Sequence, residues 1–143
     1  MTAVGCRIVN EDQASEADRQ AIRDRLDGWN VAVTGRSDWF PVSVFLRDDD
    51  DTIRGGAIGD AWASWLHVTF LWVDEDRRGH GWGTRLLEAI EARARERGCT
   101  HVHLDTFSFQ AGPRFYERFG YRVFGVLADH PPGHTHHFLW KRL

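Results

Sequence analysis

Two rhythms of apolar residues run along the chain, one with the period of a helix and one with the period of a strand. Ala17, Ala21, Ile22, Leu26, Trp29 and Val33 recur three to five positions apart, which predicts one face of an amphipathic helix. Ser15 followed by Asp18 makes a start like a capping box, with Asp in place of Glu or Gln, and Gly28 is expected to break the helix into two pieces. Residues 6–9 ahead of it predict a short first strand. Pro41 to Leu46 and Thr52 to Ile58 read as a hairpin around the acidic turn Asp48 to Asp51. Those four aspartates lack the alternating oxygens, central Gly and final Glu of a calcium loop, so a solvated turn is the reading.

Trp65 to Val73 predicts a longer apolar strand, and strict alternation would put Trp65, His67, Thr69, Leu71 and Val73 on one face. Thr84 to Arg97 predicts a second helix. Leu86, Leu87, Ile90 and Ala94 are its buried stripe, Glu91 and Arg95 pair at i,i+4, and Gly98 ends it. A strand over His101 to Phe107, a short helix over Pro113 to Phe119 closed by Gly120, and strands over Tyr121 to Leu127 and His136 to Trp140 complete the chain. This order predicts a single α/β domain, residues 1–143, around a mixed sheet.

Composition narrows the classes without naming a function. At 143 residues, 42% hydrophobic and 27% charged, the chain is the size and balance of one globular domain. A net charge of −3 gives no support for a nucleic-acid partner. Cys6 and Cys99 lack any CxxC neighbour and predict reduced, partly buried thiols, neither a disulfide framework nor a zinc cluster. There is no basic stretch followed by an apolar run at the start and no run of 18 apolar residues. A cytoplasmic protein without a membrane partner is therefore expected.

Chemistry enters at Arg77-Arg78-Gly79-His80-Gly81-Trp82-Gly83-Thr84, between a strand and a helix. Three alternating glycines let several N–H groups turn into one small space, and the helix that starts there adds its positive end. Such a nest suits a diphosphate. The helix opens Gly-Thr-Arg, without the Gly-Lys-Ser/Thr of a P-loop, and G-x-G-x-G is not the G-x-G-x-x-G of a dinucleotide fold.

Arg78-Gly79-His80-Gly81-Trp82-Gly83 follows the R-x-x-G-x-G pattern, preceded by Leu71-Trp72-Val73-Asp74-Glu75 and followed by Leu86-Leu87. Further on, Phe115-Tyr116-Glu117-Arg118-Phe119-Gly120-Tyr121 places a tyrosine helix just before a Gly-aromatic strand start. On these two segments the chain resembles the GCN5-related N-acetyltransferase (GNAT) superfamily, most specifically from about Trp72 to Tyr121. The resemblance implies a central mixed sheet with splayed parallel strands flanked by helices, and acetyl-CoA lying between the Trp65–Val73 and His101–Phe107 strands. It implies that backbone at Leu71 and Val73 holds the pantetheine arm and that amides from Arg78 through Gly79, His80, Gly81, Trp82 and Gly83 to Thr84 hold the pyrophosphate. Many members carry Asn where this chain has Ser108-Phe109-Gln110, and Gln110 is the candidate to take over that pantetheine contact. Homodimers are frequent among similar proteins.

By the same resemblance Tyr116 would stand beside the sulfur as general acid. His67, six residues before Val73, would be the base, with Asp105 the next candidate and Asp74 and Glu75 after it. A lysine-like amine is neutral only about once in 2,500 molecules at pH 7, so direct attack on a thioester is helped by a base. Imidazole titrates near 6.5 in water, which suits that task. His130, His134, His136 and His137 surround Pro131-Pro132-Gly133 and read as a polar hairpin near the acceptor. No Cys or carboxylate completes a ligand set there, and no metal is expected. Trp39, Trp62, Trp65 and Trp72 are expected on the acceptor side. A small-molecule amine is the expected acceptor. Protein lysine or N-terminal acetylation, or a non-catalytic acyl-CoA sensor, are the alternatives.

Overall fold

In the computed structural model, which describes residues 5–143, the chain divides after Ser37 into two compact units. The first contains helix α1 (Glu16–Thr34). The Asp18 amide donates to Ser15 Oγ at 3.1 Å, as the capping pattern predicts, and Gly35 closes the helix in the left-handed region at φ 69°. Gly28 does not break it. A helical glycine costs about 1 kcal/mol against Ala, too little to interrupt a nineteen-residue helix bonded on both sides. Ile22, Leu26, Trp29 and Val33 remain exposed along it. Residues 6–9, expected as a strand, are irregular, because no strand among the described residues pairs with them. Cys6 is exposed rather than partly buried, whereas Cys99 is buried.

The second unit runs β1 (Phe40–Arg47), β2 (Ile53–Trp62), β3 (Trp65–Val73), α2 (Trp82–Glu96), β4 (His101–Phe107), α3 (Gly112–Glu117), β5 (Arg122–Ala128) and β6 (Thr135–Arg142). Its sheet has the order β1-β2-β3-β4-β6-β5, antiparallel throughout except for the β3–β4 pair. The acidic turn between β1 and β2 is held by Asp48. Its Oδ1 accepts the amides of Asp50 and Thr52, both at 3.0 Å, and its Oδ2 takes Arg54 Nε at 2.7 Å.

Helix α2 lays Leu86, Leu87, Ile90 and Ala94 against β1, β2 and β3, where Ala57, Ala61, Leu66 and Val68 meet them. Small residues on β2 let the helix sit close to the sheet. Glu91 shares this buried stripe, so its carboxylate cannot reach outward to Arg95 as the i,i+4 spacing predicts. It is satisfied inside, by Lys141 Nζ at 2.7 Å and by the Tyr121 hydroxyl, which donates to it at 3.2 Å.

One irregularity decides how the sheet presents its side chains. Ile58 pairs with Phe70 but Gly59 pairs with Val68, so Thr69 is the extra residue of a β-bulge in β3. The alternation reverses across it. Leu66 and Val68, and then Leu71 and Val73, lie on the α2 face, while Trp65, His67, Phe70 and Trp72 lie on the opposite face. The predicted single face of Trp65, His67, Thr69, Leu71 and Val73 is thereby corrected. A period of two fails wherever one strand carries one residue more than its partner.

Candidate active site

Strands β3 and β4 pair only from Trp65–His101 to Val68–Leu104, although they continue to Val73 and Phe107. Beyond that last pair the two strands lie unjoined. The Asp74 amide donates to the Arg54 carbonyl at 2.8 Å. Alternation therefore turns the amides and carbonyls of Val73 and Leu71 away from β2 and toward the gap. Arg78 Nε donates to the Val73 carbonyl at 2.9 Å, tying the glycine loop to this edge.

The loop itself is a short 3₁₀ turn, Glu75–Arg77, followed by Arg78 to Gly81. Gly79 and Gly81 take φ values of 79° and 81°, a region other residues enter at a cost. Gly81 is the N-cap of α2 with no side-chain cap bond, and the first bond across this turn is Arg85 N–H to the Gly81 carbonyl at 3.1 Å. The amides of Trp82, Gly83 and Thr84 thus precede the helix's own hydrogen bonds and are free to receive an anion. The helix starts two residues before the predicted Thr84 because Gly81 supplies the turn into it. His80 and Trp82 line a cleft of about 430 Å³ whose other charged groups are mixed, three arginines and the three aspartates Asp48, Asp49 and Asp76.

The sheet face opposite α2 carries a connected set of titratable side chains. His67 Nε2 is 3.8 Å from Asp105 Oδ1 on β4, and His67 Nδ1 is 4.0 Å from Asp60 Oδ1 on β2. Trp39 Nε1 donates to the other oxygen of Asp60 at 3.0 Å. His103 stacks on His67 with ring centroids 4.5 Å apart. Burial, and then the neighbouring His67, hold its imidazole below the ordinary histidine range, so it is uncharged at neutral pH. Trp65 stacks on His101 at 4.5 Å and lies 5.9 Å from Trp140, continuing an aromatic surface along the same face.

Tyr116 stands on α3, 7% exposed, its ring edge-on to Phe115 and Tyr121. Burial pushes its phenol up to about 12, with the charge of Asp105 adding to the shift. It is a protonated donor at any physiological pH. Gln110 Oε1 accepts the Phe107 amide at 3.0 Å and the Thr106 hydroxyl at 3.4 Å, which closes the end of β4.

The fold therefore brings His67 and Asp105 together, but sets Asp74 and Glu75 apart from them. Asp74 accepts from Trp72 Nε1 at 3.0 Å, and Glu75 opens the 3₁₀ turn. Trp62, Trp65 and Trp72 share the His67 face as expected, the last only because of the bulge. Of the hairpin histidines, His136 alone is buried, with Nε2 2.6 Å from Asp105 Oδ2 and Nδ1 3.2 Å from His130 Nδ1. His134 faces Ser108 and His137 faces Thr135. Asp60 and His103 escaped the sequence reading because only the β2–β3–β4 register reveals them as neighbours of His67. Alternation around His67 and His101 was the one available signal.

The sequence profile described as the acetyltransferase (GNAT) family matches residues 8–121. Blasticidin-S acetyltransferase of Streptomyces morookaense is 49% identical over 92 residues, 64% of this chain and 67% of that protein. An acetyltransferase from Bacillus cereus ATCC 14579 is 38% identical with a TM-score of 0.86, covering 96% of this chain and 98% of its own. One from Agrobacterium tumefaciens is 36% identical with a TM-score of 0.90, covering 96% and 100%.

Proposed function

Since this chain belongs to the acetyltransferase (GNAT) family and is an N-acetyltransferase, we propose that it moves the acetyl group of acetyl-CoA to a primary amine of a small molecule. The observation that carries this reading is the gap between β3 and β4, which runs up to a helix N-terminus with unpaired amides. That combination suits a ligand with a diphosphate at one end and an amide-bearing arm behind it. Residues 78–84 would hold the diphosphate, Arg78 through its guanidinium because its amide donates to the Glu75 carbonyl at 3.3 Å. The Leu71 backbone and the Val73 amide would bond the arm. Gln110 still has its side-chain amide N–H groups to offer the same arm. Acetyl-CoA supplies an activated acyl carbon, open to direct attack by an amine.

In this reading His67 takes the proton of the acceptor amine, and Tyr116 faces the thiolate that departs. With the phenol near 12 and a free thiol near 8.5, full proton transfer to the thiolate is uphill by about 5 kcal/mol. Tyr116 therefore acts by a hydrogen bond to the developing charge. The similarity to a blasticidin-S acetyltransferase supports a small molecule as the acceptor and makes blasticidin S the first one to try. The profile match crosses the division after Ser37, which supports residues 1–143 as one acetyltransferase domain. Two unbridged cysteines suit a reducing, cytoplasmic setting.

The test is release of free thiol from acetyl-CoA in the presence of a panel of amines that includes blasticidin S, lysine peptides and proteins with free N-termini. Thiol release matched by acetylated small-molecule amine is the expected result. Turnover confined to peptides would replace the acceptor class. Tight acetyl-CoA binding without turnover on any member would replace the enzyme reading with a sensor.

A further inference from the structure

Resting on that reading, we infer that Asp105 is the group that takes the acceptor's ammonium at the mouth of the gap, and that His136 is a positioning residue acting through it. Asp105 is the first residue of β4 past the last β3–β4 pair, on the face that carries His67. Asp60, the other carboxylate beside His67, belongs to β2, on the far side of β3 from the gap, and is already engaged by the Trp39 indole. An amine arriving at the gap meets the charge of Asp105 first.

A half-exposed aspartate turns freely unless something holds it, and His136 does. Its Nε2 lies 2.6 Å from Asp105 Oδ2, and a carboxylate only accepts, so Nε2 carries the proton. The imidazole is 10% exposed and cannot swing. It stacks on Phe107 at 4.1 Å with 19° between the planes and meets Phe138 at 4.4 Å. Its Nδ1 is 3.2 Å from Nδ1 of the exposed His130, which completes the hydrogen bonding of the ring.

With Oδ2 committed, Asp105 Oδ1 is left facing His67 Nε2 across 3.8 Å. That distance is too long for a bond between the two groups, and it leaves room for one ammonium nitrogen donating to both. The ligand class is thus a protonated primary amine, held by a carboxylate and handed to an imidazole in one site. The charged and titratable groups facing this point are Asp60, His67, His103, Tyr116 and His136, with His130 behind the last.

Two replacements of His136 separate positioning from packing. His136→Phe keeps a ring between Phe107 and Phe138 but donates nothing, whereas His136→Gln keeps a donor for the carboxylate. With acetyl-CoA saturating, the varied acceptor is blasticidin S, or the best primary amine of the panel if blasticidin S is not turned over. The KM for the amine should rise about tenfold or more in His136→Phe, as for loss of a bond to a charged group, with acetyl-CoA affinity within twofold of wild type. His136→Gln should recover most of that loss. Asp105→Asn, at a half-exposed position, should lose at least as much as His136→Phe. An unchanged KM in His136→Phe or Asp105→Asn, or a His136→Gln variant as poor as His136→Phe, overturns the inference. If wild type acetylates no amine, the functional reading itself falls. If wild type turns over and these variants match it, only the roles of Asp105 and His136 fall.

Discussion

Gly59 sits where β2 meets the bulge of β3, and replacing it with alanine tests whether that bulge governs both the core and the site. A Cβ at Gly59 would overlap the carbonyl oxygen of His67, with the His67 carbonyl carbon at 3.0 Å and Val68 Cα at 3.2 Å. All three atoms are backbone in a central strand, so no side chain can rotate away. The strands must part by on the order of 1 Å to restore van der Waals distance. Overpacking of this kind costs about 1–3 kcal/mol. The backbone origin argues for the upper end, less about 0.5 kcal/mol for the stiffer unfolded chain. A net loss of about 2.5 kcal/mol corresponds to roughly 10 °C in Tm for a domain of this size. Tryptophan fluorescence in a urea and a thermal series measures it. Gly125→Ala is the control, because its Cβ would make only ordinary contacts with the Phe138 side chain, at 3.8 and 3.9 Å, and it should stay within about 0.5 kcal/mol of wild type. Activity should fall further than stability in Gly59→Ala, since the displaced strand carries His67. A Gly59→Ala protein melting within 2–3 °C of wild type would refute the steric argument.

Tyr116→Phe should lower kcat by about tenfold or more with acetyl-CoA affinity held, and an unchanged kcat would remove the phenol from the reaction. The protein should lose stability as pH rises from 10 to 12. The unfolded phenol releases its proton near 10 while Tyr116 holds its own to about 12, and burial beside Glu91 pushes Tyr121 in the same direction. Urea midpoints that stay flat across that range would contradict it. Lys141→Met should cost about 3–5 kcal/mol by leaving Glu91 buried without its cationic partner, and adding Glu91→Gln should return most of that in equilibrium unfolding. Gly81→Ala should weaken acetyl-CoA binding, measured by calorimetry, because a residue with a Cβ pays about 1–2 kcal/mol at φ 81° just where the helix amides are presented. Wild-type affinity in Gly81→Ala would uncouple the loop conformation from binding.

The local features were legible because each rests on contacts a few residues apart. The Ser15 cap, the α2 stripe, the strand–loop–helix order around the glycines and the β1–β2 hairpin all follow from neighbouring side chains and backbone bonds. The glycine loop at residues 78–84 belongs to the same class, since it needs only a strand, glycines and a helix start. The failures came where distant partners decide. Residues 6–9 had strand character but no strand beside them among the described residues, and Glu91 found Lys141, fifty residues away, in place of Arg95 one turn on.

The amino-acid pattern by itself determined the element order, the glycine loop and the presence of Tyr116 before a Gly-aromatic strand. Tertiary structure alone decided which residues share the site. A single unpaired Thr69 reverses the alternation of β3, and the insertion of β6 beside β4 brings His136 to Asp105 across thirty-one residues. A strand states which residues alternate, but its partner's register fixes which face they reach and whom they meet. Register is a property of the pair.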